Sequence, residues 1–427
     1  MNVFPFAALR PADGLAAKIA SLPYDVMDTA EARRMAAGNP LSFLRVVRSE
    51  IDLPEGADPY APAVYETAKR NLDALVAEGK LVREDGPALY LYRQTMGAHV
   101  QTAVVACCAA ADYANGTILR HEKTRKDKED DRTNHILATR AHTGQVFLCY
   151  RDEAAIDALV AAETAAPPLL DFVAEDGIAH AVWRAKDPDA LAAAFRAVPK
   201  AYIADGHHRS AASFRAAAAS DGGAGSQVPG RKSQDRPSDL QDLRPSTAAS
   251  EASRFMACLF PASQLAILPY HRSVRDLAGL SSADFLRKAL ERGFSAAAIP
   301  APTPLPDHSC AVRLAEGWYR LSWSLTDSQA ADPVARLDVS RLQEDLLAPV
   351  LGIGDPRTDP RIYFTGGIRG TGELERDVAS GKAAAAFAMR PTSIDDMMAI
   401  ADAGALMPPK STWFEPKLRS GLLVHTF

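Results

Sequence analysis

Cysteine is scarce and unpatterned: the 427 residues hold five, Cys107, Cys108, Cys149, Cys258 and Cys310, with no C-x-x-C spacing. An odd, scattered set argues against a disulfide scaffold and against a zinc ribbon, and it fits a reducing compartment. An excess of one charge is also missing. Lys plus Arg number 48 and Asp plus Glu 53, for a net charge of −5 and a pI near 6.1. The basic excess that a nucleic-acid coat needs is therefore absent. No run reaches about 18 uninterrupted apolar residues, so no membrane span is expected. The first ten residues show no basic stretch followed by an apolar one, so no secretory signal is expected and the reading is a cytoplasmic protein.

Several catalytic signatures are absent as well. There is no G-x-x-x-x-G-K-[ST] loop, since Gly381-Lys382 lacks the upstream glycine. No G-x-G-x-x-G follows a strand, and neither G-x-S-x-G nor H-E-x-x-H occurs. P-loop kinases, Rossmann dehydrogenases, α/β-hydrolases and zincins all lose ground.

What is present is an ordinary globular composition, 47% hydrophobic and 24% charged, in a chain long enough to bury a core without staples. At about 100–200 residues per domain the length suggests two or three. Asp28 or Thr29 is expected to cap a helix over residues 30–37. Leu44 to Arg48 reads as a strand. Pro62 to Glu78 is an amphipathic helix, with proline in its first turn and Gly79 past its end. Residues 88–92 and 100–108 read as paired strands, 146–150 as another, and 339–347 as a helix. Residues 220–253 are rich in Gly, Ser, Pro, Asp and Arg without apolar periodicity, and predict a mobile insertion. The organisation expected is an N-terminal region over 1–219, the insertion over 220–253 and a C-terminal region over 254–427, with the two regions packed into one unit. The fold class is α+β, with mixed sheets and flanking helices.

The strongest chemical signal is Asp205-Gly206-His207-His208-Arg209-Ser210, placed after a strand over 201–204 and opening a helix. Glycine at such a turn lets backbone approach a ligand closely. The helix start adds free N–H groups and partial positive charge, an anion site in the making. His207, His208, Arg209 and Ser210 supply further donors. Asp205 is a carboxylate suited to hold magnesium or accept a hydroxyl proton. The simpler reading is an N-capped helix with Asp205 as the cap. A second signal, His121-Glu122-Lys123-Thr124, lies in the charged run 120–132. Its cation, carboxylate and hydroxyl match phosphoryl transfer, whereas a solvated helix with i,i+4 pairs such as Lys126 with Asp130 explains the rest of the run. Pro23-Tyr24-Asp25, Asn39-Pro40 and the loop Pro408 to Lys417, with Lys410 and Ser411, are weaker signals. His135 and His142 read as structural.

These motifs, taken in order, resemble the bacterial and archaeal family known as domain of unknown function 1015. The resemblance rests on Pro23-Tyr24-Asp25-Val26, Asn39-Pro40 with Phe43, His121-Glu122-Lys123-Thr124 followed by Lys128-Glu129-Asp130 and Arg132, Asp205 to Arg209, and Met407 to Thr412. The Asp-Gly-His-x-Arg turn also resembles that of free serine kinases of the ParB/sulfiredoxin-like fold. That resemblance implies magnesium-dependent transfer from pyrophosphate, ADP or ATP to free L-serine. It places Asp205, His207 and Arg209 near the phosphates, and leaves Glu122 or Asp25 as the acid that activates serine.

The reading is thus a small-molecule kinase with Asp205, Glu122, His207 and Arg209 as catalytic residues and Asp205 as the metal ligand. Gly206, His207, His208, Arg209, Ser210, His121 and Lys123 bind phosphate. Asp25, Asn39 and Lys410 bind the acceptor. Its partner is a small molecule, neither nucleic acid nor membrane. Arg209→Ala is expected to collapse turnover with little loss of folding. The alternative is a non-catalytic, ParB-like nucleotide switch. A sulfiredoxin-like reaction ranks last, because no cysteine lies near residues 205–210 in sequence.

Overall fold

The computed structural model describes residues 1–221, 250–302 and 304–427. The insertion expected at 220–253 lies, apart from its ends, outside the described residues. The chain forms two compact units, one of residues 1–265 with 416–427 and one of residues 266–415. Each is a layer of helices on a sheet, so the fold is α+β. No described helix is long and apolar enough to cross a membrane.

The first unit is built on a nine-stranded sheet. In spatial order its strands are Ile118–Leu119, Ala201–Asp205, Val146–Tyr150, Arg254–Pro261, His99–Ala109, Tyr90–Met96, Ala179–Arg184 and Leu170–Val173, with Val3–Phe4 also against His99–Ala109. The expected hairpin forms, pairing Tyr90 with Val105 and Met96 with His99 around Gly97. Most pairs are antiparallel, but Ala201–Asp205 runs parallel to Ile118–Leu119, and Arg254–Pro261 parallel to Val146–Tyr150. The central strands are buried on both faces, as Val146–Tyr150 is throughout. Leu148, Ile203, Phe214, Phe255 and Leu259 form the core between the sheet and the helix His207–Asp221.

Local sequence explains several helix starts. Asp28 accepts from the Glu31 N–H at 2.7 Å while Glu31 accepts from the Asp28 N–H at 3.0 Å, a reciprocal capping box that opens the helix Thr29–Ala36. The helix Pro62–Ala77 starts on its proline as expected. Leu44 to Arg48 is not a strand. Leu44–Val47 is a helical turn, with Val47 N–H on Phe43 C=O at 3.1 Å and Arg48 N–H on Leu44 C=O at 2.7 Å. A short apolar run bears no periodicity that separates a buried turn of helix from a strand.

The second unit carries a six-stranded antiparallel sheet, in the order Ser295–Ile299, Gly317–Ser322, Ser309–Leu314, Ala385–Ala388, Tyr270–Val274 and Ile362–Gly366. The helix expected over 339–347 is interrupted. Asp338–Leu342 is α-helical, Gln343–Leu347 widens to a π turn, and Ala348–Leu351 resumes the helix. Pro349 lacks the N–H that a regular helix needs there, and the ladder shifts by one residue ahead of it.

Buried histidines make the first unit sensitive to acid. Burial lowers His121 and His135 from 6.5 to about 4. The native state therefore binds fewer protons than the unfolded chain between those values. Their contribution is intact above pH 6.5 and is lost as the pH falls toward 4, at about 3 kcal/mol each. The urea midpoint should fall steeply across that window. A midpoint that stays constant from pH 6.5 to 4.5 would contradict neutral buried imidazoles.

Candidate phosphate site

The strand Ala201–Asp205 ends at Gly206, whose φ of +96° opens the helix His207–Asp221. The strand–turn–helix read from the sequence is therefore present. A Cβ at Gly206 would lie 3.2 Å from Cζ and Nε of Arg209. The dihedral favours glycine, and a Cβ would press on the Arg209 guanidinium. Gly206→Ala should cost about 1–3 kcal/mol in stability by straining the turn and displacing Arg209; an unchanged Tm would show that the turn tolerates a side chain.

Arg209 is the centre of the cluster. Its Nη2 lies 3.3 Å from Asp205 Oδ1 and 3.5 Å from Asp25 Oδ2, and its Nη1 donates to the Gln145 carbonyl. Its Nε is buried without a hydrogen-bond partner among the described residues. Asp205 Oδ2 accepts from Lys417 Nζ at 2.9 Å. Burial alone would raise the Asp205 carboxyl, but the charges of Lys417 and Arg209 outweigh it and hold Asp205 far below the usual carboxylate range. Arg209 is 8% exposed and spans three segments of chain. Its removal to alanine would leave Asp205 and Gln145 short of partners, so the expectation of little folding loss is corrected: Arg209 is structural as well as electrostatic.

The two histidines do something the sequence reading did not anticipate. His207 Nε2 accepts the backbone N–H of His121 at 3.4 Å, and His208 Nε2 accepts that of Arg125 at 3.1 Å. The pair staples segment 121–125 to the helix start, which brings the His121–Thr124 and Asp205–Arg209 motifs together. Both rings act as acceptors and must be neutral. Burial, then the neighbouring His121, pushes His207 well below its ordinary value; burial also lowers His208. With Nε2 accepting, the His207 proton sits on Nδ1, which faces Glu122 Oε2 at 3.9 Å. The His121 ring is wholly buried, edge-on to His207 with centroids 4.5 Å apart, and bonds the backbone of Ile203.

The other expected residues fall as follows. Lys123 is exposed on the stapled segment. Ser210 is buried and turns its hydroxyl back to the Gly206 carbonyl at 3.2 Å. Asn39 serves its own turn, accepting from Leu41 N–H and donating to Lys18 C=O. Lys410 belongs to the second unit, where its Nζ lies 5.5 Å from the Tyr270 ring. The charged run becomes the helix Lys126–Thr139, with the Lys126–Asp130 pair at 3.0 Å and Arg215 of the site helix on Glu129 and Asp130. A small cleft of about 30 Å³ opens beside Arg209, lined by Tyr24, Arg132, His135, His142 and Thr143 among others.

Lys417 was missed as a site residue, and so was the carbonyl of Gln145. Lys417 stands 212 residues from Asp205, and no local spacing signals that pairing. One thiol does come within electrostatic reach of Arg209: Cys258, buried on Arg254–Pro261. Burial pushes that thiol up, so it is protonated and no nucleophile.

Magnesium at Asp205 fits poorly. Both of its oxygens already accept from cations, at 3.3 Å from Arg209 and 2.9 Å from Lys417, and an ion there would have to displace one of them.

No curated protein matches the chain. Solved structures that align with it include a free serine kinase in complex with AMP, at 11% identity and a TM-score of 0.35 over 73% of this chain and 86% of that one. A conserved hypothetical protein from Pyrococcus furiosus aligns at 10% identity and 0.33, over 73% and 90%. SbnI with a C-terminal truncation, from Staphylococcus aureus, aligns at 9% and 0.38, over 74% and 85%. At such scores these structures bear no argument about activity. The family described as "Protein of unknown function (DUF1015)" matches residues 3–340, most of the chain, and the chain belongs to it.

Proposed function

We propose that this protein is a small-molecule phosphotransferase that moves a phosphoryl group from pyrophosphate or a nucleotide to the hydroxyl of free L-serine. The observation that carries the reading is the meeting of two motifs. Glu122 stands 3.9 Å from neutral His207 at the start of a 15-residue helix, and Asp205 at the end of the preceding strand holds Arg209 and Lys417. The helix start and the two cations receive the donor phosphates, with Lys123 as an exposed cation that can close on them. L-Serine as acceptor rests on the resemblance of the Asp205–Arg209 turn.

In the proposed step the serine oxygen attacks the terminal phosphorus. A new O–P bond forms, the bridging P–O bond breaks, and its electron pair leaves on orthophosphate or the nucleotide. Glu122 takes the hydroxyl proton. Asp205 is the poorer base, because Lys417 and Arg209 depress its proton affinity; its task is to hold those cations. Asp25, partly exposed and 3.5 Å from Arg209, is free to face the ammonium of the amino acid. No step is assigned to magnesium at Asp205, to Asn39 or to Lys410.

The test is production of O-phosphoserine by the purified protein from L-serine, with pyrophosphate, ADP and ATP in separate reactions containing magnesium. Product with one donor supports the reading and fixes the donor. Folded protein that yields none with any donor overturns it.

A further inference from the structure

A second cluster in the first unit has no part in that chemistry. Among the described residues, Cys107, Glu251 and His425 offer one donor atom each, all within 4.8 Å of one another. They come from three distant segments: the strand His99–Ala109, the short turn Glu251–Ser253 and the strand His425–Thr426. We propose that these three side chains bind a zinc-type transition-metal ion.

The donor chemistry selects the metal. Thiolate sulfur, imidazole nitrogen and a single carboxylate oxygen suit borderline-soft Zn²⁺ and not the oxygen-seeking Mg²⁺ or Ca²⁺. Three protein ligands leave a fourth, open position for water. The missing C-x-x-C spacing excludes a ribbon, not a site assembled by the fold from distant residues.

The surroundings are built as metal sites are. His425 Nε2 faces Glu251 Oε2 at 2.8 Å, while its Nδ1 lies 3.0 Å from Nδ1 of His142. His142 is the direct cross-strand partner of His425, and the rings stack 4° from parallel at 5.3 Å. Two Nδ1 atoms in contact need one proton between them. With that proton on His425, its Nε2 has a lone pair for the ion, and His142 fixes ring and tautomer as an outer-shell partner. Phe6 packs edge-on against His425 at 5.5 Å. Glu251 Oε1 is held by Arg254 at 3.0 Å, so Oε2 binds alone.

Cys107 and His425 are buried while the Glu251 side chain is 47% exposed, which gives the ion a way in past a side chain that can move. Tetrahedral zinc spaces nitrogen and oxygen ligands by roughly 3.3 Å, so the carboxylate has only to withdraw slightly from the imidazole. Binding replaces the S–H bond of Cys107 with an S–metal bond and releases one proton to solvent.

The full chain, stripped with chelator, is titrated with Zn²⁺ or Co²⁺ alone. The expected result is one ion per chain, a thiolate-to-cobalt charge-transfer band in the near ultraviolet, and a Tm raised by roughly 5 °C at a hundredfold excess over Kd. Cys107→Ser should abolish the band. Glu251→Gln, altered at a half-exposed position and so kept folded, should weaken Co²⁺ binding at least tenfold. His142→Gln should weaken it by about 10–100-fold. Substoichiometric binding, or a charge-transfer band that survives Cys107→Ser, overturns the site. So does Glu251→Gln with unchanged affinity.

Discussion

Glu122→Gln should lower the rate of O-phosphoserine formation by about 10²–10⁴-fold while leaving the Tm within a degree or so of the parent. The two halves of that expectation come from different features. The rate falls because the amide cannot accept the serine proton, and the neighbouring carboxylate cannot replace it: Lys417 and Arg209 hold Asp205 ionised and weakly basic. Stability is spared because the Glu122 side chain is 32% exposed and its neighbour His207, at 3.9 Å, is neutral. Donor affinity should hold or improve, since a negative charge beside the phosphates is removed. A variant with parental turnover would eliminate Glu122 as the base and return the question to Asp25. A variant that loses donor binding instead of rate would place Glu122 in the donor pocket.

The sequence made the site's two motifs visible but not their relation. Asp205-Gly206 between a buried strand and a helix could be read directly, because glycine at a strand–helix turn has a steric reason to be there. The structure adds that His207 and His208 face segment 121–125 through acceptor nitrogens. From sequence those rings look like phosphate donors, since protonation state depends on burial and burial depends on the whole fold. Lys417 was illegible for a similar reason: a side chain 212 residues away becomes the partner of Asp205 only when the C-terminal segment returns to the first unit. Local errors were of another kind. Leu44–Val47 is too short for periodicity to distinguish helix from strand, whereas Pro62–Ala77, with four turns and a proline start, was read to within a residue.

Asp205→Asn should be the most destabilising conservative change in the first unit, costing about 3–5 kcal/mol and lowering the Tm by about 10 °C. Asp205 faces two cations whose side chains are only 10% and 12% exposed. The amide keeps the volume but removes the charge that compensates both. Arg209 would retain Asp25 at 3.5 Å and the Gln145 carbonyl, while Lys417 would lose the partner at 2.9 Å. The pH profile identifies the cause. The folded-state value of Asp205 lies below its ordinary 3.8, so its stabilisation is present above pH 3.8 and is lost as the pH falls through the lower, folded value. The parent should therefore lose stability below pH 3.8 by an amount that Asp205→Asn does not, and the two curves should converge in strong acid. A double variant, Asp205→Asn with Lys417→Met, should regain part of the loss, because it removes the ammonium that faced the Asp205 carboxylate and leaves an apolar stem of similar length. If the double variant is no more stable than the single one, Asp205 is not acting through Lys417. If the single variant is as stable as the parent, the cation cluster is solvated, and the electrostatic argument for a preorganised phosphate site falls with it.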